Sequence, residues 1–246
     1  MNIYVNDAYI PYLNDTTRTQ IFFGGSSSGK SFFLAQRVVM DVLKGHNYLI
    51  VRNVANTIKR SVYNQIVKTI IDFNLSEVFQ MSKSEMVITC KRNNRQILFG
   101  GLDDPEKLKS ITPIDGVITD IWIEEATETA REAYKQLTKR LRGATPDGIG
   151  KRIIFSFNPI LQTHWIYQEF FWNWDDSKNL YKSDDLLILK TTYKDNKFLT
   201  DEDIYALEHE TDPYFYNVYT LGNWGVLGKV IFKNWRTEDL SDVIPS

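Results

Sequence analysis

The 246-residue chain contains one cysteine, Cys90, and only three histidines, His46, His164 and His209. A single cysteine excludes an internal disulfide framework and favours a reducing compartment. The histidines are scattered and have no metal-ligand spacing. No apolar run reaches the roughly eighteen residues that span a bilayer, and the polar start MNIYVNDAY lacks a secretion-signal pattern. Repeats and low-complexity tracts are also absent. Charge of one sign is lacking too: 29 Lys+Arg stand against 31 Asp+Glu, a net −2 that does not advertise nucleic acid. Hydrophobic residues make up 43% and charged residues 24%, ordinary globular usage that argues against a disordered or fibrous chain. A soluble, intracellular protein with no membrane contact is the expectation.

The charges that are present are unevenly placed. Residues 50–110 hold ten Lys/Arg against six Asp/Glu, and residues 172–212 hold eleven Asp/Glu against five Lys. Such asymmetry fits a phosphate-facing surface and a plain solvated face equally well. At about 150 residues per domain the length gives about 1.6 domains, one sizeable unit with a smaller appendage. Apolar strand-like runs at Gln20–Phe23, Tyr48–Val51, Val117–Ile123 and Ile153–Phe157 alternate with helical patterns over 31–44, 54–73 and 128–142. Met86–Cys90 and Ile97–Phe99 flank a turn and read as a hairpin. The alternation predicts an α/β fold with a mainly parallel central sheet flanked by helices. Ile153–Phe157 reads as the last clear core strand, and the acidic, aromatic-rich helices beyond it predict a helical lid. The expected division is 1–175 core, 176–235 lid or linker and 236–246 tail.

Residues 24–31 read Gly24-Gly25-Ser26-Ser27-Ser28-Gly29-Lys30-Ser31, a complete G-x-x-x-x-G-K-[ST]. At average glycine usage this arises by chance in roughly one chain in a hundred. An apolar strand leads in and an amphipathic helix leads out, the context a phosphate-binding loop requires. Its backbone N–H groups and the helix N-terminus attract phosphate, Lys30 reaches the β/γ-phosphates, and the Ser31 hydroxyl ligates Mg²⁺. The bland alternative, a flexible Gly/Ser linker, sits poorly between Phe22-Phe23 and Phe32-Phe33-Leu34. ATP with Mg²⁺ is therefore the expected ligand pair.

The strand Ile121-Trp122-Ile123 ends in Glu124-Glu125. In a parallel sheet, ligands sit beyond the carboxyl ends of the strands, where these acids would meet the phosphates. Side chains alternate along a strand, so Glu124 can hold Mg²⁺ while Glu125 orients and deprotonates the attacking water. An acid-rich helix N-terminus, favoured by the macrodipole alone, is the competing explanation. At the end of Ile153–Phe157, Ser156 and Asn158 share a face and can sense the γ-phosphate; a simple strand exit through Asn158-Pro159 is the alternative. Charge stabilisation of phosphoryl transfer calls for a further cation, with Arg52, Lys109, Arg140 and Arg142 as candidates. Arg18 and Gln20, just before the loop strand, are candidates for adenine contact. Cys90 reads as a small core residue. The cluster Trp165, Phe170, Phe171, Trp172 and Trp174 reads as an inter-subdomain core rather than a base-stacking platform.

Taken in order, FFGGSSSGKS, YLIVRN, FGGLDDPEKLKS, IWIEEATE, KRLRG, FSFNP with HWIYQEFF, TTYKDNKFL and YTLGNWG resemble the large terminase subunit of tailed bacteriophages in its PBSX-type branch. The stretches span nearly the whole chain. The resemblance implies an ATP-driven motor that moves double-stranded DNA through a portal into a procapsid, in the cytoplasm of an infected bacterium. It implies a portal protein and a small terminase subunit as partners, and a homo-oligomeric ring when active. It assigns phosphate binding to Gly24–Ser31, Mg²⁺ to Glu124, catalysis to Glu125 and coupling to Ser156 through Asn158. A trans-acting arginine belongs to the family picture; at its usual position this chain offers Lys109. Glu124 also departs from the family's more frequent Asp. The chain ends soon after the lid-like segment, so the expectation is the ATPase portion without the family's C-terminal nuclease, and no DNA cleavage. Other readings consistent with the residues are a helicase-like or repair ATPase, a small-molecule P-loop kinase, and a nucleotide switch that needs no Glu125.

Overall fold

A computed structural model describes residues 3–225; the expected tail 236–246 and the end of the expected lid lie outside the described residues. In chain order the elements are β1 (Thr19–Gly24), α1 (Lys30–Leu43), β2 (Tyr48–Arg52), α2 (Ala55–Arg60), α3 (Val62–Asp72), β3 (Phe79–Ser82), β4 (Val87–Cys90), β5 (Gln96–Gly101), α4 (Pro105–Ser110), β6 (Asp120–Glu124), α5 (Arg131–Thr138) and β7 (Arg152–Phe157). There follow α6 (Trp165–Phe170), β8 (Leu180–Lys182), β9 (Leu186–Thr191), α7 (Asp201–Glu208), α8 (Pro213–Phe215) and a π-helical turn, Tyr216–Thr220.

The strands form one nine-stranded sheet in the order β3-β4-β5-β2-β6-β7-β1-β9-β8. The six from β5 to β9 run parallel, while β3, β4 and β8 attach antiparallel at the edges. A sheet covered on both faces needs strands that are apolar throughout rather than alternating, and β1, β2, β6 and β7 meet that need. Phe22, Ile50, Trp122 and Ile154 face one core with α1 and α3; Phe23, Val51, Ile123 and Phe155 face the other, closed by Leu137 of α5 and Ile166 of α6. Cys90 is fully buried in the first core, as expected.

Three readings of the sequence are corrected. The helix expected over 54–73 is two helices, because Ser61 leaves helical geometry at φ −104°, ψ −94°. The helix expected over 128–142 ends at Thr138, and a short 3-10 turn, Ala126–Glu128, precedes it. The core sheet does not end at β7. β9 lies parallel beside β1, pairing Thr19 with Leu186 through Gly24 with Thr191, so residue 176 is no boundary of the sheet. Among the described residues, the segments after Thr191 are helical, and Tyr219 O there accepts from Ser26 N–H of the loop that follows β1.

The aromatic cluster belongs to the second core: Phe171 and Trp174 pack edge-on to Phe23, and Trp165 and Phe170 pack against Phe155. Trp172 is the exception, 72% exposed. No helix among the described residues is long and apolar enough to cross a membrane.

Candidate active site

The parallel strands deliver β1, β6, β7 and β9 to one end of the sheet, and Gly24–Ser31 curls over that end. Gly24 has φ +138°, and a Cβ there would sit 1.9 Å from the Thr191 carbonyl oxygen, so the loop leaves the sheet at a position only glycine fills. Carbonyls of the loop are tied by side chains of other segments. Asn158 Nδ2 donates to Gly24 O at 2.8 Å, Asn196 Nδ2 to Ser27 O at 2.7 Å, and the Tyr9 hydroxyl to Ser28 O at 3.0 Å. Two leading amides are also committed, Gly25 N–H to Thr191 O and Ser26 N–H to Tyr219 O. With the Gly24, Ser27 and Ser28 carbonyls held by these side chains, the loop presents the first-turn N–H groups of α1, which have no partner within a helix.

Lys30 lies folded into the loop, 7% exposed, donating to Gly25 O at 2.7 Å and Ser28 Oγ at 3.1 Å. Burial pulls its ammonium down to about 8, against the raising influence of Glu125 and Glu124. The same carbonyl and hydroxyl oxygens stand where a phosphate would supply stronger, charged acceptors.

The Ser31 hydroxyl donates to Glu124 Oε1 at 2.7 Å, and the Ser156 hydroxyl donates to Oε2 of the same carboxylate. Ser156 in turn accepts the Trp122 indole N–H at 2.7 Å. The sheet register sets this up, since Glu124 lies directly opposite Ser156 in the β6–β7 pair. Burial pushes the Glu124 carboxyl up, with the two hydroxyls pulling it back. The pair of hard oxygen donors, Ser31 Oγ and Glu124, fits Mg²⁺, which takes one or two carboxylates together with substrate phosphates and waters.

Glu125 breaks from the strand into left-handed geometry, φ 51°, ψ 50°. A non-glycine residue held there costs on the order of 1 kcal/mol or more, and such positions concentrate at functional sites. The turn separates the two carboxylates, leaving Glu124 under the loop and Glu125 on the wall of the same cleft. Burial raises the Glu125 carboxyl; Arg52 and Lys30 lower it. Arg52 ends β2, the strand next to β6, and its guanidinium lies 3.5 Å from Glu128 Oε1, while its Nε is buried without a partner. The cleft enclosed by Ser26–Phe32, Glu124, Glu125 and Ser156–Asn158 measures about 280 Å³.

Beside it, sharing Gly29 and Phe32, lies a cavity of about 430 Å³ walled by Tyr4, Phe73 and Phe198, with Asn6, Gln36 and Asn196 as polar groups. Gln36 donates Nε2 to Tyr4 O at 2.9 Å, whereas its Oε1 is buried with no partner.

The structure thus brings Gly24–Ser31, Glu124, Glu125, Ser156, Asn158 and Arg52 together. It does not bring Arg18 or Gln20 to them. Gln20 is fully buried, spent on Asp15 O, Thr17 O and the Arg37 guanidinium, and Arg18 donates to Lys151 O at 2.8 Å at the far end of β1. The expected adenine contact from these two is corrected accordingly. Lys109, Arg140 and Arg142 lie in separate cavities and share no lining residue with the cleft of their own chain. Of the histidines, His46 joins the buried Asp120–Arg152 network, and no metal-holding cluster of His, Cys, Asp and Glu occurs among the described residues. Residues the motifs did not single out as site residues include Tyr9, Asn6, Gln36, Thr191, Asn196 and Tyr219. The stretches TTYKDNKFL and YTLGNWG carried a signal for three of these, Thr191, Asn196 and Tyr219.

A family model described as phage terminase large subunit matches residues 16–223. The chain is 29% identical over 241 residues to the PBSX phage terminase large subunit of Bacillus subtilis strain 168, covering 91% of this chain and 53% of that protein. It is 26% identical over 166 residues to the terminase large subunit of Bacillus phage SPP1, covering 63% and 39%. The chain therefore spans about half or less of the length of these relatives. Among solved structures, the large terminase of a thermophilic bacteriophage in complex with ADP superposes with a TM-score of 0.68 at 18% identity, over 89% of this chain and 54% of that one. The large terminase ATPase domain of Thermus phage P74-26 gives a TM-score of 0.57 at 13% identity, over 83% and 88%. At those identities the likeness is one of fold.

Proposed function

Because this chain belongs to the phage terminase large subunit family, we propose that it is the Mg²⁺-dependent ATPase part of a motor that packages double-stranded DNA. The observation that carries the reading is the convergence of a complete phosphate loop, a hydroxyl-bound buried carboxylate and a strained second carboxylate on one cleft. The relative solved with ADP supports the nucleotide reading.

In this reading the triphosphate lies along Ser27–Ser31, its charge met by the α1 N-terminus and by Lys30, which exchanges loop oxygens for phosphate oxygens. Ser31 and Glu124 hold Mg²⁺, which neutralises charge building on the β- and γ-phosphates. Glu125, on the open wall, takes the proton of the attacking water; desolvation raises its basicity toward the working pH. Ser156 and Asn158 link the far side of the cleft to Glu124 and Gly24, so loss of the γ-phosphate is felt at β7. The base occupies the neighbouring cavity, whose lining includes Phe32, Gln36 and Phe198. Duplex DNA, a portal protein, a small terminase subunit, a ring of copies and a place in the host cytoplasm follow from the family's role.

The test is phosphate release from ATP with Mg²⁺, with and without linear duplex DNA and with no phosphoryl acceptor. Release stimulated by duplex is expected. Transfer of the γ-phosphate to a small molecule in place of release would put a kinase in its stead.

A further inference from the structure

On the face of the sheet covered by α5, that helix, the turn Lys139–Arg142, the end of α4 and the chain from it to β6 enclose two adjoining cavities, of about 370 and 260 Å³. Lys109, Arg140 and Arg142 line both, Lys139 lines one, and among the described residues neither has an acidic lining residue. Arg140 is a built-in part of the wall: its guanidinium donates to Leu108 O at 2.5 Å and to Ile111 O. Burial lowers its pKa, and the neighbouring charge of Arg142 lowers it further.

The cleft gathers several cations into adjoining cavities. Among the described residues Lys139, Arg140 and Arg142 have no carboxylate partner, as is also true of Arg18, Arg60 and Arg92, whereas Arg37, Arg52, Arg95, Arg131 and Arg152 each have one. Two like-charged guanidiniums in a concave, partly desolvated site repel each other and are stabilised by an anion from outside. Among the described residues the lining also contains no aromatic one. Pockets for single strands or free nucleotides stack bases on aromatic rings; a duplex hides its bases and offers a rail of phosphates.

We propose that this basic cleft receives the backbone phosphates of duplex DNA. Lys139 and Arg142, both exposed, make the contacts, with Arg140 holding the cleft open. The proposal rests on the packaging reading for its partner but not on the nucleotide cleft, with which it shares no lining residue. α5 is the first α-helix after Glu124–Glu125, so the DNA contact sits on the element that follows the catalytic acids.

The experiment is fluorescence anisotropy of a labelled duplex of about 30 base pairs across 50 to 200 mM salt, roughly the range over which phosphate contacts dominate. It compares the 246-residue chain, its Lys139→Ala/Arg142→Ala variant, and a control of equal charge change, Lys83→Ala/Lys178→Ala. Each lost phosphate contact lowers the slope of log K against log salt by about 0.9. The cleft variant is therefore expected to bind more weakly with a slope smaller by about two, while the control keeps the parent's slope and both keep nucleotide affinity. A cleft variant with the parent's slope, or a control that loses as much, overturns the proposal. So does an unchanged slope accompanied by altered sedimentation, which would make the cleft a protein interface. A parent chain that binds no duplex at all would overturn the DNA half of the packaging reading as well.

Discussion

Ser31 Oγ and Glu124 Oε1 lie 2.7 Å apart although 93 residues separate them in the chain. The bond joins the end of the phosphate loop to the tip of a strand two places away in the sheet, across β7. It fixes the carboxylate that would share Mg²⁺ with that hydroxyl. Glu124→Ala removes a buried acceptor of two hydroxyl donors, so ATP turnover is expected to fall by at least about a hundredfold. Nucleotide binding without Mg²⁺ should persist. Equal loss of both, measured by titration with a fluorescent ATP analogue, would make Glu124 a structural residue alone.

Lys30 leads to a pH prediction. Its ammonium, brought down to about 8 by burial, loses its proton as pH rises through that value in the free chain. Nucleotide affinity should therefore decline on the alkaline side of about pH 8, with proton uptake on binding there. Calorimetry in buffers of different ionisation enthalpy measures that uptake. Lys30→Ala should remove both the pH dependence and most of the affinity.

Arg52 and Glu125 carry the opposite dependence. Burial raises the Glu125 carboxyl and the Arg52 charge lowers it. Arg52→Ala should raise it further, so that the base is protonated earlier as pH falls and the acid limb of turnover moves to higher pH. Arg52→Lys, which keeps the charge, should move it back. An acid limb unchanged in Arg52→Ala would detach Arg52 from the catalytic carboxylate.

Gly222 packs against the opposite side of the loop. It has φ +65°, and a Cβ there would fall 2.5 Å from Gly25 N and 2.7 Å from Gly24 Cα. Gly222→Ala is expected to cost about 1–2 kcal/mol from the left-handed backbone alone, with further loss from displacing the loop. Weaker ATP binding together with a lower Tm would be the signature. An unchanged Tm with normal affinity would remove the YTLGNWG segment from the account of the site.

The parts of this site legible in the sequence are those written locally. Gly24–Ser31 is contiguous, and its strand and helix context sits within a few residues on either side. Glu124 and Glu125 end an apolar run, which sufficed to place them at a strand tip; their different roles follow from the left-handed turn at Glu125, which no residue type announces. β9 was illegible because Leu186–Thr191 is short, sits in an acidic stretch and finds β1 some 165 residues earlier in the chain. Tyr9 and Asn6 were illegible for a related reason, and Asn196 was marked only by the stretch that contains it. Their function is to bond loop carbonyls or one another, and an isolated Tyr or Asn gives no sign of which carbonyl it will meet. Gln20 and Arg18 misled through proximity: a few strand residues, at about 3.3 Å each, carry the chain from the loop to the other end of the sheet.

The most direct test of the account compares the parent chain with Glu125→Gln, measuring ATP binding and phosphate release on the same samples. The account predicts ATP and Mg²⁺ binding close to the parent's, with release slower by at least about a hundredfold, the scale of losing a general base. Release at the parent's rate would contradict the role given to Glu125 and return the cleft to a nucleotide-binding switch.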